Sequence, residues 1–397
     1  MTIPVPQGFR LSAVPCGIKA DPTREDLTLI VADRPAVAAG VYTQNLVCAA
    51  PVTVDRQRTP SDKIRAVCVN SGNANACTGQ RGLTDALTMA QLAAAACGAA
   101  ADQSLVMSTG IIGVFLPMDK IAAGIRAASA RLGSDEASFL LAARGITTTD
   151  KSHKIAGRTL ELGGRTVRLA GMCKGAGMIG PRMATMLAVV LTDAALTVAD
   201  AQASLVAAVE DSFNCISVEG HMSTNDTLLL LASGAACDQP LAGADLVRFR
   251  EALREVCIEL AKQIPDDGEG ATHLVTIDVQ GAATRDDAFR IAKTVAESAL
   301  VKTAIAGGDP NWGRIVSAAG YAGVPFDPDR VSLKVNGTQL YRDGTPVPFD
   351  AAAVSRSIRD NRETQVLLTL AEGPASVRFW TSDLTVDYVK FNADYST

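Results

Sequence analysis

The stretch Lys174-Gly175-Ala176-Gly177-Met178-Ile179-Gly180-Pro181-Arg182-Met183-Ala184-Thr185 delivers a hydroxyl at the end of a glycine-rich loop, directly before the apolar run Met186-Leu187-Ala188-Val189-Val190-Leu191. The chemistry open to such a residue is nucleophilic. Glycines tolerate unusual backbone geometry and Pro181 stiffens the turn, so a strained peptide bond can be held just before Thr185. If the Thr185 hydroxyl attacks the Ala184 carbonyl and the resulting ester hydrolyses, Thr185 becomes a new N-terminus. Its α-amine, with a reference pKa of about 7.7–8.0, then lies beside its own hydroxyl and can serve as general base. Taken in isolation, the same residues also describe an ordinary loop-to-strand turn.

The elements that must position this loop read as mixed α/β. Short apolar runs such as Ala66-Val67-Cys68-Val69 and Leu105-Val106-Met107 alternate with alanine-rich helical stretches at 83–100 and 118–131. Thr84-Asp85 and Pro117-Met118-Asp119 mark helix starts, and Gly133 marks the stop of the second helix. Residues 157–169 alternate around Gly163-Gly164 and predict a hairpin leading into the loop. Beyond Thr185, periodicity predicts helices over 198–212, 241–262 and 286–300, and strands over 273–279, 331–335 and 366–370. No long linker or repeat divides the chain, so the useful division is chemical: residues 1–184 before the scissile bond and 185–397 after it.

Composition excludes several classes of function. The chain has 397 residues, 48% of them hydrophobic, enough for a large core. Its net charge of −5 comes from scattered residues, which disfavours nucleic acid and anionic membrane as partners and leaves small molecules. No apolar run reaches the length of a membrane span and the first residues lack an export pattern, so a cytoplasmic protein is expected. Nine dispersed cysteines without a Cys-x-x-Cys pair are expected to be reduced thiols. His153, His221 and His273 are too far apart in sequence for a metal motif, and the loop matches neither the dinucleotide nor the phosphate-loop pattern. No cofactor is implied.

Six further segments accompany the loop in order: Ser71-Gly72-Asn73-Ala74-Asn75-Ala76-Cys77-Thr78-Gly79, Ser108-Thr109-Gly110-Ile111-Ile112-Gly113, Ser223-Thr224-Asn225-Asp226-Thr227, Asp267-Gly268-Glu269-Gly270-Ala271-Thr272, Asp309-Pro310-Asn311-Trp312-Gly313-Arg314 and Asn392-Ala393-Asp394-Tyr395-Ser396-Thr397. Together they resemble the ornithine acetyltransferase family, the bifunctional glutamate N-acetyltransferases of the cyclic arginine pathway, over nearly the whole chain. The resemblance implies an αββα-type body in which self-cleavage at Ala184-Thr185 yields two interleaved chains that pair as an α2β2 heterotetramer. It implies Thr185 as nucleophile, with the Thr109 hydroxyl and the Gly110 amide as donors to the tetrahedral oxyanion. It also implies that Thr148, Lys174, Thr185, Glu269, Asn392 and Thr397 contact substrate. An ammonium at Lys174 suits a carboxylate, and a carboxylate at Glu269 suits an α- or δ-ammonium. The Ser223 and Asp309 segments are read as mainly structural, since their turn-forming residues can buttress a site.

The activity implied is acetyl transfer from N2-acetylornithine to glutamate through an acetyl ester on Thr185, with acetyl-CoA a further candidate donor. Three positions depart from the family pattern: Lys151 replaces a threonine, Arg182 an asparagine, and Glu219-Gly220-His221 an Asp-Gly-Asp. If the Lys151 ammonium points into the pocket it opposes a cationic ornithine side chain; if it points out, the change is neutral. A divergent acyltransferase or amidase on another N-acyl amino-acid-like substrate therefore stands as the alternative, and a ligand-binding protein without processing as a third reading.

Overall fold

Two mixed β-sheets and the helices that flank them form an α/β structure, described by a computed structural model over residues 2–180 and 186–394. The first sheet runs in the order Ser104–Ile111, Ser61–Asn73, Leu27–Tyr42, Thr227–Ala232, Leu187–Thr192, Arg165–Lys174 and Lys154–Leu162, with Phe9–Val14 also paired to Leu27–Tyr42. The second runs Thr345–Pro346, Thr338–Arg342, Ser332–Val335, Glu363–Thr369, Leu274–Ala282, Ala375–Ser382 and Ile216–Ser217.

The continuous apolar run after the glycine-rich loop is explained by burial on both faces. In Leu187–Thr192, residues Leu187, Val189 and Leu191 enter one core while Ala188 and Val190 enter another. A strand covered on both faces loses the polar alternation of a half-exposed one. Helix Gly243–Asp266 packs on Lys154–Leu162 and Arg165–Lys174 of the first sheet and on Ala375–Ser382 of the second. Its apolar stripe includes Phe249, Leu253, Val256, Leu260 and Ile264, the spacing expected of a helix with one buried face.

Strands from either side of position 184 are interleaved. Leu187–Thr192 pairs antiparallel with Arg165–Lys174, and Thr227–Ala232 pairs antiparallel with Leu27–Tyr42. The predicted hairpin forms, with Leu162 opposite Arg165 across Gly163-Gly164. All nine cysteines are free thiols. Among the described residues no helix is long and apolar enough to cross a membrane.

Among the boundaries that differ from the sequence expectation, three have a visible cause. The helix expected from Leu83 begins at Gly79, because Asn75 Nδ2 holds the Gly82 carbonyl at 2.9 Å and so closes a first turn poor in helix formers. The next helix ends at Ser129, and Gly133 instead exchanges two backbone hydrogen bonds with Leu11, of 2.7 and 3.0 Å. The helix expected over 286–300 is two helices, Arg285–Glu297 and Ala299–Ala306; Ser298 closes the first and its side chain caps the second.

Candidate active site

Lateral register across three strands explains how residues distant in sequence meet. Lys174 is paired with Leu187, and Leu187 with Thr227. Two residues before Thr227, Asn225 Nδ2 donates to the carbonyls of Ala74 at 2.6 Å and Ser108 at 2.8 Å. That stitch brings the end of strand Ser104–Ile111, with Thr109 and Gly110, against Lys174. Lys174 Nζ donates to Thr109 Oγ1 at 3.0 Å, with both residues buried.

Gly110 has φ +133°, and a Cβ there would overlap the backbone of Gly72 and Asn73 on the neighbouring strand. Only glycine fits where the two parallel strands approach so closely. A pocket opens beside this pair, and Thr148, Lys174, Glu269 and Asn392 line it with Thr109 and Gly110.

A buried ion triad holds three of the lining segments together. Lys154 Nζ lies 2.6 Å from both Asp150 Oδ1 and Asp267 Oδ2. Asp150 also accepts the backbone N–H of Gly175 at 2.7 Å and of Thr148 at 3.0 Å, while Asp267 accepts that of Lys151 at 3.0 Å. Burial by itself would raise the Asp150 pKa. The ammonium groups of Lys154 and Lys174, with the hydrogen bonds, outweigh it and bring Asp150 down to about 2.

Glu269 is held at both oxygens. Thr149 Oγ1 donates to Oε1 at 2.8 Å and Asn392 Nδ2 to Oε2 at 3.1 Å. Gly177 lies against this carboxylate so closely that a Cβ would overlap it. Burial pushes the Lys174 ammonium pKa down, Asp150 pushes it back up, and Lys154 adds to the lowering. Asp226, fully buried, is pushed well above the usual carboxylate range by burial; its Oδ1 accepts the Met186 N–H at 3.0 Å. Glu219, on the pocket wall, rises to about 8, chiefly through burial. Among the described residues no cluster of His, Cys, Asp and Glu is placed to hold a metal ion.

Of the residues singled out from sequence, Thr109, Gly110, Thr148, Lys174, Glu269 and Asn392 come together in this pocket. Ala184, Thr185, Arg182 and Thr397 lie outside the described residues; the adjoining chain borders the site, since Met178 lines the pocket and Leu187 pairs with Lys174. Lys151 is exposed and is not among the residues lining the pocket, so the electrostatic opposition to ornithine considered for it has no basis in this geometry. Ser223, Thr224 and Asn225, read as mainly structural, both buttress and line the site. The Asp309 segment is structural: Asn311 caps helix Trp312–Gly320 and Trp312 stacks on Tyr341 at 5.1 Å.

Sequence reasoning missed Thr149, Lys154 and Tyr388, the last of which lines the pocket. Thr149 adjoins a residue already singled out and is a hydroxyl beside an acid. Lys154 has an acid, Asp150, four residues before it, but its second partner, Asp267, lies on a distant segment that no local signal points to.

The fold and the pocket define an α/β protein in which a threonine–glycine pair, a buried lysine and a carboxylate meet in one cleft. The chain belongs to the ArgJ family, whose model matches residues 10–397. It is 49% identical over 396 residues to the arginine biosynthesis bifunctional protein ArgJ of Rhodopirellula baltica, covering 99% of this chain and 96% of that protein. The protein of the same name from Symbiobacterium thermophilum is 47% identical over 398 residues, covering 100% of this chain and 98% of that protein. A crystal structure of ArgJ from Bacillus halodurans, 37% identical, matches with a TM-score of 0.51 over 52% of this chain and 98% of that one.

Proposed function

We propose that this protein transfers an acetyl group from N2-acetylornithine to glutamate through an ester on Thr185, after cleaving itself between Ala184 and Thr185. The observation that carries this reading is the convergence, from separate segments, of Thr109, Gly110, Thr148, Lys174, Glu269 and Asn392 on one pocket. Membership of a family whose relatives are bifunctional arginine biosynthesis proteins supports the substrate class.

In the acylation half-reaction the Thr185 α-amine takes the hydroxyl proton as Oγ1 adds to the acetyl carbon. The carbonyl electron pair moves to oxygen, where the Thr109 hydroxyl and Gly110 amide receive the charge. Collapse breaks the C–N bond, and the departing ornithine nitrogen takes the proton back. Glutamate then adds through its amine and restores the Thr185 hydroxyl by the reverse sequence. Glu269 suits the ammonium of ornithine, and Lys174 a substrate carboxylate.

Cleavage would give fragments of 184 and 213 residues. The interleaved strands support their remaining associated, and the Bacillus halodurans chain, which matches 52% of this one, has the length expected of one such fragment. Assembly of the two chains as an α2β2 heterotetramer in the cytoplasm belongs to the same reading.

Denaturing mass analysis of wild type and Thr185→Ala, followed by acetyl exchange between N2-acetylornithine and labelled glutamate, tests it. Two fragments and exchange are expected from the wild type, and one uncut, inactive chain from the variant. A fully active protein that stays uncut overturns the N-terminal-threonine mechanism.

A further inference from the structure

Thr109 can serve an oxyanion only if its hydroxyl proton points at the substrate, and the hydroxyl rotor does not by itself decide that. A threonine oxygen both donates one hydrogen bond and accepts others, so its direction is set by its neighbours. Here the neighbour is an ammonium. Lys174 Nζ lies 3.0 Å from Thr109 Oγ1, and a charged lysine can only donate. Among the described residues Thr109 Oγ1 has no acceptor for its own proton, and it is 5% exposed.

We infer that Lys174 is a positioning residue of the oxyanion site: by donating to Thr109 Oγ1 it turns the Thr109 proton outward, toward the oxyanion, and strengthens that proton as a donor. This rests on the acyl-transfer reading above and adds to the substrate contact implied for Lys174. An ammonium has three N–H groups, so one can hold Thr109 while the others face the pocket. The contact exists before the reaction begins, so aiming the Thr109 proton needs no reorganisation during it.

The arrangement reverses if Lys174 loses its proton. A neutral amine accepts, Thr109 can then donate to Nζ, and the oxyanion loses its side-chain donor. The groups facing Lys174 among the described residues are Asp150, Lys154, Asp226 and Glu269. Burial lowers the Lys174 pKa from its ordinary 10.5, which brings the reversal toward the measurable range. The sign is fixed: the working arrangement exists below that pKa and is lost as pH rises through it.

The test is a double-mutant cycle on the full cleaved protein. Lys174→Met and Thr109→Val, each expected to lower kcat at least tenfold, are compared with the double variant. Coupling through Thr109 predicts that the double variant is no slower than roughly the slower single one. Losses that multiply, or a Lys174→Met effect confined to KM, overturn the inference and leave Lys174 as a substrate contact alone.

A second readout is the pH profile of kcat. Wild type should fall on the basic side, Lys174→Arg should move that fall upward, and Thr109→Val should lack it. If Lys174→Met does not fold, the Thr109→Val profile decides, because a retained basic fall also overturns the inference. The burst of p-nitrophenol from p-nitrophenyl acetate reads the oxyanion site without an amino-acid substrate. A wild type that bursts but exchanges no acetyl between amino acids would sink the substrate assignment while leaving the Lys174 measurement valid; a burst rate unchanged in Lys174→Met sinks the positioning role.

Discussion

Thr149 Oγ1 donates a 2.8 Å hydrogen bond to Glu269 Oε1 across 120 residues of sequence, while the main-chain amide of Glu269 bonds to Ala176 at 2.9 Å. The carboxylate is therefore oriented by two segments that each line the same pocket. In the proposed acetyl transfer, a group fixed in this way would meet the ammonium of ornithine without first giving up side-chain freedom.

Gly177 keeps the space that this orientation requires. Its φ lies outside the left-handed region, so Gly177→Ala acts by steric displacement of the Glu269 carboxylate. Loss of a charge-assisted contact worth about 1.5–3 kcal/mol should raise KM for N2-acetylornithine roughly 10–100-fold, with a smaller change in kcat. Steady-state kinetics check this, and an unchanged KM would remove Glu269 from substrate binding.

Thr109→Val keeps the shape of the side chain and deletes its hydroxyl. Because an oxyanion exists only during acyl transfer, kcat should fall by roughly 10–10³ with little change in KM. A variant altered in KM alone would mean that Thr109 contacts the ground state.

Lys154→Met should cost about 3–5 kcal/mol, since it leaves the Asp150 and Asp267 carboxylates buried without their shared cation. Asp150 is depressed from 3.8 to about 2 in the folded protein. Its contribution is thus complete above about pH 4 and lost as pH falls through 2. The difference in Tm between wild type and variant should be steady near neutrality and narrow from pH 4 to pH 2. A difference that does not narrow would assign the loss to packing.

Lys151→Thr changes an exposed side chain and preserves the backbone hydrogen bond to Asp267. The ratio of kcat/KM for N2-acetylornithine to that for N-acetylglutamate should stay within about twofold, the range of a surface substitution. A larger shift would show the ammonium reaching the pocket.

The amino-acid sequence by itself determined the chemical inventory and the periodic elements. Thr109-Gly110, Lys174, Glu269 and Asn392 are recognisable as site candidates through the ordered family motifs that contain them, and the 157–169 hairpin because alternation and a turn are local signals. Tertiary structure decided what those signals do not encode. The 3.0 Å contact of Lys174 with Thr109 depends on strand register and on the Asn225 stitch, and the Asp150–Lys154–Asp267 triad depends on Asp267 meeting a pair that lies 113 residues or more before it. The outward placement of Lys151, one residue from a buried aspartate, follows from the same packing. Side-chain identity is a property of one position, whereas direction, burial and partner are set by the elements that fold against it.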